Sequence, residues 1–238
     1  MPGMGTIINI GAILAGGLIG MTVGRFLSHR FEEIAIQGCG VSTLFIGISG
    51  ALQHLLVVTD DGLATQGTLM MIVSLVGGAI IGEFLNIQKW FDDLGVFLRN
   101  KTGSQGDSRF MDAFLTTSFT VCIGAMAIIG SIQDGIQGDY SILAAKSVLD
   151  FVIVLMLSAS MGKGAVFSAV PVGIIQGAMT LLARFLEPLM TPEALSNISL
   201  VGSVMIFCVG MNLLRDKKIR VANLLPGLVI AVAFSYFG

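Results

Sequence analysis

Long apolar stretches separated by short polar ones set the rhythm of this chain. Eight largely uncharged runs stand at Thr6–Val23, Gly38–Val58, Gly67–Leu85, Asp112–Ile132, Tyr140–Met161, Gly164–Phe185, Ser196–Leu214 and Val221–Phe237. Each is close to the roughly 20 residues a helix needs to cross a hydrocarbon core of about 30 Å. The pattern predicts an all-α polytopic membrane protein with about eight transmembrane helices, the last and shortest run being the weakest of them. Between the third and fourth runs, Ile87, Trp90, Phe91, Leu94, Phe97 and Leu98 recur at helical spacing with Lys89, Asp92, Asp93 and Arg99 opposite. That is the signature of an amphipathic helix lying at a membrane surface.

Basic residues fix the expected orientation, because Lys and Arg near span ends resist translocation. With eight crossings, Arg25, Arg30, Lys89, Arg99, Lys101, Arg109, Lys163, Arg215, Lys217, Lys218 and Arg220 fall on one side, 11 of the 13 basic residues. Only Arg184 falls on the other, and Lys146 lies inside a span. The basic side is read as cytoplasmic, with both termini outside. The opening Met1-Pro2-Gly3-Met4-Gly5 has no positive n-region, so the first run reads as a retained span entering from outside. Trp90, Tyr140 and Tyr236 sit at span ends, where aromatic belts form.

A faint repeat runs through the ends of the chain. Gly5–Leu27 closes on Gly24-Arg25-Phe26-Leu27 and Gly164–Leu186 on Ala183-Arg184-Phe185-Leu186, with 4 of 23 positions matching. Each block is followed by a polar link and a second span, carrying Leu44-Phe45-Ile46-Gly47-Ile48-Ser49 in one copy and Phe207-Cys208-Val209-Gly210-Met211-Asn212 in the other. Span one starts outside and span six inside, so the copies are expected to be inverted, an arrangement of many secondary transporters. The competing explanation is that glycine-rich apolar helices resemble one another by composition. The expected organisation is therefore 1–86 as the first three-span repeat, 87–109 as cytoplasmic interfacial helix and linker, 110–162 as central spans four and five, and 163–238 as the second, inverted repeat.

Composition narrows the function. With 54% hydrophobic and 12% charged residues against the roughly 25% charge of soluble domains, a soluble enzyme or nucleic-acid binder is excluded. Cys39, Cys122 and Cys208 sit in apolar runs as small hydrophobes, and no cofactor motif or metal pair is readable. Gly16, Gly20 and Gly24, and Gly78 and Gly82, recur every fourth residue and predict smooth faces for close helix packing. Pro171 and Pro226 fall inside runs six and eight and predict kinks. Gly47-Ile48-Ser49-Gly50 matches an intramembrane serine protease motif, but the two histidines stand badly for it: His29 in a loop, His54 on the same span.

An ionisable side chain in a span costs roughly 2.5–3.5 kcal/mol, so each needs a reason. Lys146 and Asp150 stand four apart in span five, Asp150 about 15 Å in from Tyr140 and thus near the midplane. They form either a neutralised structural pair or a proton- or cation-handling carboxylate tuned by Lys146. The glycine-rich run from Gly130 to Asp139, with Gln133 and Asp134, is either an outer loop or a re-entrant mouth. Glu83 is expected to snorkel or to meet Lys89. Asn9, Ser49, Asn212 and Asn223 are neutral polar groups inside spans, and Ser49 and Asn212 fall at near-equivalent places in the two copies, where a shared site would draw ligands.

Gly124-Ala125-Met126-Ala127-Ile128-Ile129-Gly130-Ser131-Ile132-Gln133-Asp134-Gly135, with Gly138-Asp139, Lys146-Ser147-Val148-Leu149-Asp150, Arg220-Val221-Ala222-Asn223-Leu224-Leu225-Pro226 and Gly5-Thr6-Ile7-Ile8-Asn9, resembles the YqgA-like bacterial inner-membrane proteins, a family of unknown function. The resemblance implies a bacterial cytoplasmic membrane, brings loose suggestions of a cation channel or pump and a link to biofilm behaviour, and marks Gln133, Asp134, Lys146 and Asp150 as family-typical; Ser147, beside Lys146, is a further candidate on the ion pathway.

The reading that follows is a transporter or channel for a small cation or proton-coupled solute, without a cofactor, partnered by the lipid bilayer and no nucleic acid, with a homodimer open. The alternative is a non-transporting scaffold that binds another subunit. Impermeant labelling of cysteine tags placed at the two ends in intact cells is expected to modify both; protection of one end only contradicts the even crossing number.

Overall fold

The computed structural model describes residues 2–24, 26, 29–60, 62–123, 125–215 and 219–236. Met1, Arg25, Leu27, Gly124, Lys217, Lys218, Phe237 and Gly238 lie outside the described residues. Helices follow the apolar runs: α1 Met4–Gly24, α2 His29–Leu55, α3 Thr68–Leu85, α4 Ile87–Lys101, α5 Phe110–Cys122, α6 Ala125–Gln137, α7 Ser141–Met161, α8 Ala169–Leu181, α9 Ala183–Leu186, α10 Pro192–Leu214 and α11 Pro226–Phe234. The chain is an all-α polytopic membrane protein. Among the described residues, five helical segments are long and apolar enough to cross a bilayer, or six if α5 and α6 count as one bent span. Large apolar side chains such as Ile7, Leu18, Phe84, Val148 and Val229 stand exposed on these helices, where only lipid suits them.

The structure departs from the sequence expectations in several places. The second run does not stay helical to Val58: α2 ends at Leu55, and Leu56–Thr59 (β1) pairs antiparallel with Gly62–Thr65 (β2) in a hairpin that matches Thr59 with Gly62. The β-branched Val57-Val58-Thr59 favours strand, and Gly62 takes φ 119°, which favours glycine. The fourth run breaks at Ile123, whose backbone is extended, and α6 leaves α5 at 61°. Residues 130–137, expected as an outer loop or a re-entrant mouth, are the second half of α6, in a bent α5–α6 pair that has the geometry of a broken span or a re-entrant loop. Pro171 and Pro226 do not kink helix interiors. Pro171 lies in the first turn of α8 and Pro226 opens α11, where the missing amide has no helical acceptor, and short 3-10 turns, Lys163–Ser168 and Val221–Leu224, precede them. The histidine placed in a loop, His29, begins α2.

Glycine dictates how the helices meet. A Cβ built at Gly16 or Gly24 would lie 2.5 Å from the carbonyl oxygen of Phe151 or Ala159, and one at Gly20 would strike that of Leu155. Partners advance together along both helices, so α1 and α7 run parallel with backbones in contact. α2 and α10 run antiparallel: a Cβ at Gly47 would meet the Phe207 amide at 2.5 Å, and one at Gly210 the Leu44 amide at 2.7 Å. α3 lies antiparallel against the end of the chain, with Gly78 on Gly227 and Gly82 on Asn223. Gly17 against Val166 and Gly173 against Ile10 set α8 and its preceding turn antiparallel to α1.

Apolar contacts close the rest. Phe119, Ile123, Leu200, Val201, Met205 and Val209 join α5 to α10, and Ile13, Val121, Val154 and Val172 join α1, α5, α7 and α8. The amphipathic α4 forms where predicted and rests Phe91 on Phe119 with ring centroids 4.9 Å apart, leaving Trp90 exposed.

Gly20→Leu is expected to force α1 off α7, at a cost of at least the roughly 1–3 kcal/mol of an overpacked core, and Gly11→Leu, where a Cβ meets nothing within 4 Å, to be tolerated. Thermal unfolding of the two purified variants checks the contrast; equal midpoints refute it.

Candidate functional site

α1 turns one face to α7, and the residues on it, Gly5, Asn9, Ile13, Gly16 and Gly20, follow three- and four-residue spacing and are buried. The glycines bring the backbones together, and Asn9 therefore reaches across. Its Nδ2 donates to Asp150 Oδ2 at 2.9 Å. Lys146 Nζ donates to the same carboxylate oxygen, one helical turn away, and to the backbone carbonyl of Val121 at 2.8 Å. Asn9, Lys146 and Asp150 are 0%, 6% and 3% exposed.

The break between α5 and α6 explains the third contact. Val121 lies in the last turn of α5, where carbonyls have no amide four residues on within the helix. An ammonium is the natural partner of such a group, because the helix C-terminus carries partial negative charge. Lys146 therefore couples a freed carbonyl, a carboxylate and, through it, Asn9 of α1. Ser147, beside it, donates to the carbonyl of Ala144.

The remaining expected residues occupy other places. Asp134, on α6, is fully buried and accepts at Oδ2 from the Gly5 amide at 2.9 Å, which caps α1 from a neighbouring helix. Gln133 is half-buried on α6. Ser49 is exposed and donates to the carbonyl of Ile46 in its own helix. Asn212 clamps Ile219, donating to its carbonyl at 2.8 Å and accepting from its amide at 2.6 Å. Ser49 and Asn212 are thus not brought into one site: one meets lipid-facing surface and the other holds a turn. Asn223 accepts at Oδ1 from the Gln88 amide, capping α4, and donates to Glu83 at 2.7 Å. Glu83 pairs with Arg220, not with Lys89. His54, the histidine on the same helix as the serine of the protease-like motif, lies with Nδ1 3.1 Å from Ser196 Oγ instead.

Sequence reasoning named Asn9 and Asp134 but missed the polar residues that accompany them. Among the described residues, side-chain atoms of Thr6, Asn9, Ser131, Asp134, Gln176 and Thr180 are buried with no hydrogen-bond partner. Thr6 and Asn9, Ser131 and Asp134, and Gln176 and Thr180 are each one helical turn apart, a signal that the sequence carries. A cleft of about 290 Å³ opens elsewhere, between α4, α5, α10 and residues 219–220, lined by Gln88, Asp92, Asp112, Thr116 and Asn212. No group of three or more His, Cys, Asp or Glu side chains placed to hold a metal ion occurs among the described residues.

Comparison with known proteins gives kinship without chemistry. The chain is 28% identical to "Uncharacterized membrane protein YdfK" of Bacillus subtilis over 226 residues, 95% of this chain and 93% of that one. It is 28% identical to "Uncharacterized protein YqgA" of Escherichia coli over 236 residues, 98% and 96% of the two chains. No solved structure matches it. The family described as "Protein of unknown function (DUF554)" matches residues 4–236, and the chain belongs to that family.

Proposed function

We propose that this membrane protein is a transporter or channel for a small cation or a proton-coupled small solute, with the Asn9–Lys146–Asp150 cluster as its midplane site. The observation that carries the reading is an Asp–Lys pair buried in the bundle where α5 breaks and α1 crosses. An intramembrane ion pair is costly to place and is found on ion and proton pathways. Lys146 neutralises Asp150 in the state described. A cation arriving at Asp150 displaces the ammonium, or a proton added to Asp150 releases it, and either event frees Lys146 to leave the Val121 carbonyl. Two elements, α5 and α7, are thereby tied to the charge state of one carboxylate.

The helix directions support an inverted repeat around this site. α1, α2 and α3 each lie antiparallel to the segment that the repeat assigns as counterpart, and the α2–α10 contacts are reciprocal: Gly47 meets Phe207 as Gly210 meets Leu44. In the sequence pairing Gly47 corresponds to Gly210 and Leu44 to Phe207, so one contact is the other with the copies exchanged. Counting the bent pair, α2 and Val221–Phe234 as spans makes eight crossings, with the basic ends cytoplasmic, both termini outside, and the bacterial inner membrane as location.

One observation favours a second reading. Because Lys146 also satisfies the Val121 carbonyl, the pair serves equally as a structural pin in a scaffold that docks another subunit. Flux in liposomes separates the two. Asp150→Asn is expected to reduce flux at least tenfold across a panel of alkali cations and under a proton gradient, with the protein still monodisperse. The apolar replacement Lys146→Met/Asp150→Leu is expected to keep the fold, as buried pairs replaced by apolar groups often do, and to lose flux. Undiminished flux in both variants rejects the transport site, and a stoichiometric co-purifying subunit with no flux in the unaltered protein favours the scaffold.

A further inference from the structure

Asp134 lies on α6 at a helix junction that carries several buried polar atoms without a hydrogen-bond partner. Its Oδ1 has no hydrogen-bond partner, and its Oδ2 is engaged by the Gly5 amide alone among the described residues. Around it three helices converge. α6 meets α1 through that bond, and it meets α8 where a Cβ on Gly135 would strike the carbonyl of Thr180. Thr180 Oγ1 is unpartnered, and one turn earlier on α8 both polar atoms of Gln176 are unpartnered at 1% exposure. The antiparallel α1–α8 register, with Gly173 against Ile10, puts Gln176 at about the level of Ile7, whose neighbour in sequence is Thr6 with its own unmet hydroxyl. Ser131, one turn before Asp134 on α6, is fully buried with an unmet hydroxyl.

Leaving one such group unpaired costs about 1–3 kcal/mol, more for a charge, and five residues at one helix junction share the defect. The set has a definite chemistry. It offers one carboxylate, three hydroxyls and an amide carbonyl, all hard oxygen donors, and a single negative charge. Ca²⁺ wants six to eight oxygens, commonly with several carboxylates, and Mg²⁺ keeps its waters; one carboxylate among neutral oxygens balances one positive charge.

We propose that the α1–α6–α8 junction is a binding site for a dehydrated alkali-metal cation, held by Asp134 with Thr6, Ser131, Gln176 and Thr180. It is separate from the Asp150 cluster and does not require that cluster to transport. Its Asp134 ligand also holds the first turn of α1, so the bound ion and the seating of α1 are coupled through one carboxylate.

Thermal unfolding of the purified full-length protein in lithium, sodium, potassium or choline chloride, at constant ionic strength and pH, tests the site. A ligand that binds only the folded state raises the midpoint with concentration. At least one alkali cation is expected to raise it saturably by several degrees over choline. Gln176→Leu and Thr180→Val, which break no hydrogen bond described here, are expected to weaken that shift at least tenfold in apparent affinity, and Asp150→Asn to retain it. Asp134→Asn is expected to abolish it if the protein folds. A midpoint indifferent to the cation, a response equal in all three salts that never saturates, or a shift unchanged in both α8 variants overturns the site. Because the readout is stability, loss of flux in Asp150→Asn with the shift intact, or the reverse, tells the two proposals apart.

Discussion

Inside lipid a polar group must find its partner within the protein, and that requirement shapes most of this molecule. Where α5 stops, its last carbonyls face no water, and Lys146 takes the one at Val121. Where α1 starts, its free amides face the same problem, and a carboxylate from α6 takes that of Gly5. Where α4 starts, Asn223 from the far end of the chain does the same. In each case the helix end is completed by a side chain more than twenty residues distant in sequence. At these three ends tertiary capping stands in for local capping, the usual device of soluble helices, which α10 keeps through Thr191, so these interruptions of the helices double as joints between them.

Glycine makes those joints reachable. A side-chain amide such as that of Asn9 spans only a few ångströms, and it meets Asp150 because Gly16, Gly20 and Gly24 bring the α1 backbone onto the carbonyls of α7. Without an apolar drive to associate in lipid, close backbone approach supplies dispersion contact that larger side chains would prevent. The polar cluster and the smooth faces are therefore one feature seen at two distances.

The fold was legible wherever a single stretch of chain decides the outcome. Run length and apolarity located nearly every helix, and the three-four spacing of Ile87 to Leu98 located α4. The i, i+4 placement of Lys146 and Asp150 put them in contact, and the four-residue glycine steps foretold the packing faces. What stayed hidden depends on partners remote in sequence. Only Gly124, one glycine among many in these apolar runs, hints at the break at Ile123; the compensation lies in Lys146, 23 residues on. Asp134 looked like loop chemistry because glycines flank it, yet Gly130 and Gly135 are small because Leu143 and Thr180 press against them. Ser49 and Asn212 matched in the alignment but face different surroundings. The hairpin after α2 was readable from Val57 to Gly62 and was overlooked because hydropathy alone extended the span.

The long reach of the α1–α7 contact bears on how the protein is made. Gly16 and Phe151 are 135 residues apart, which at a synthesis rate of about 5–20 residues per second leaves α1 waiting roughly 7–27 s for the helix it rests on. α2 and α3 wait longer, for segments near the other end of the chain. During that interval Asn9 and the glycine faces stand in the bilayer without their final neighbours, so the first helices are exposed to mispairing and to quality-control proteases until their later partners have been made. Packing of these helices therefore trails far behind their insertion.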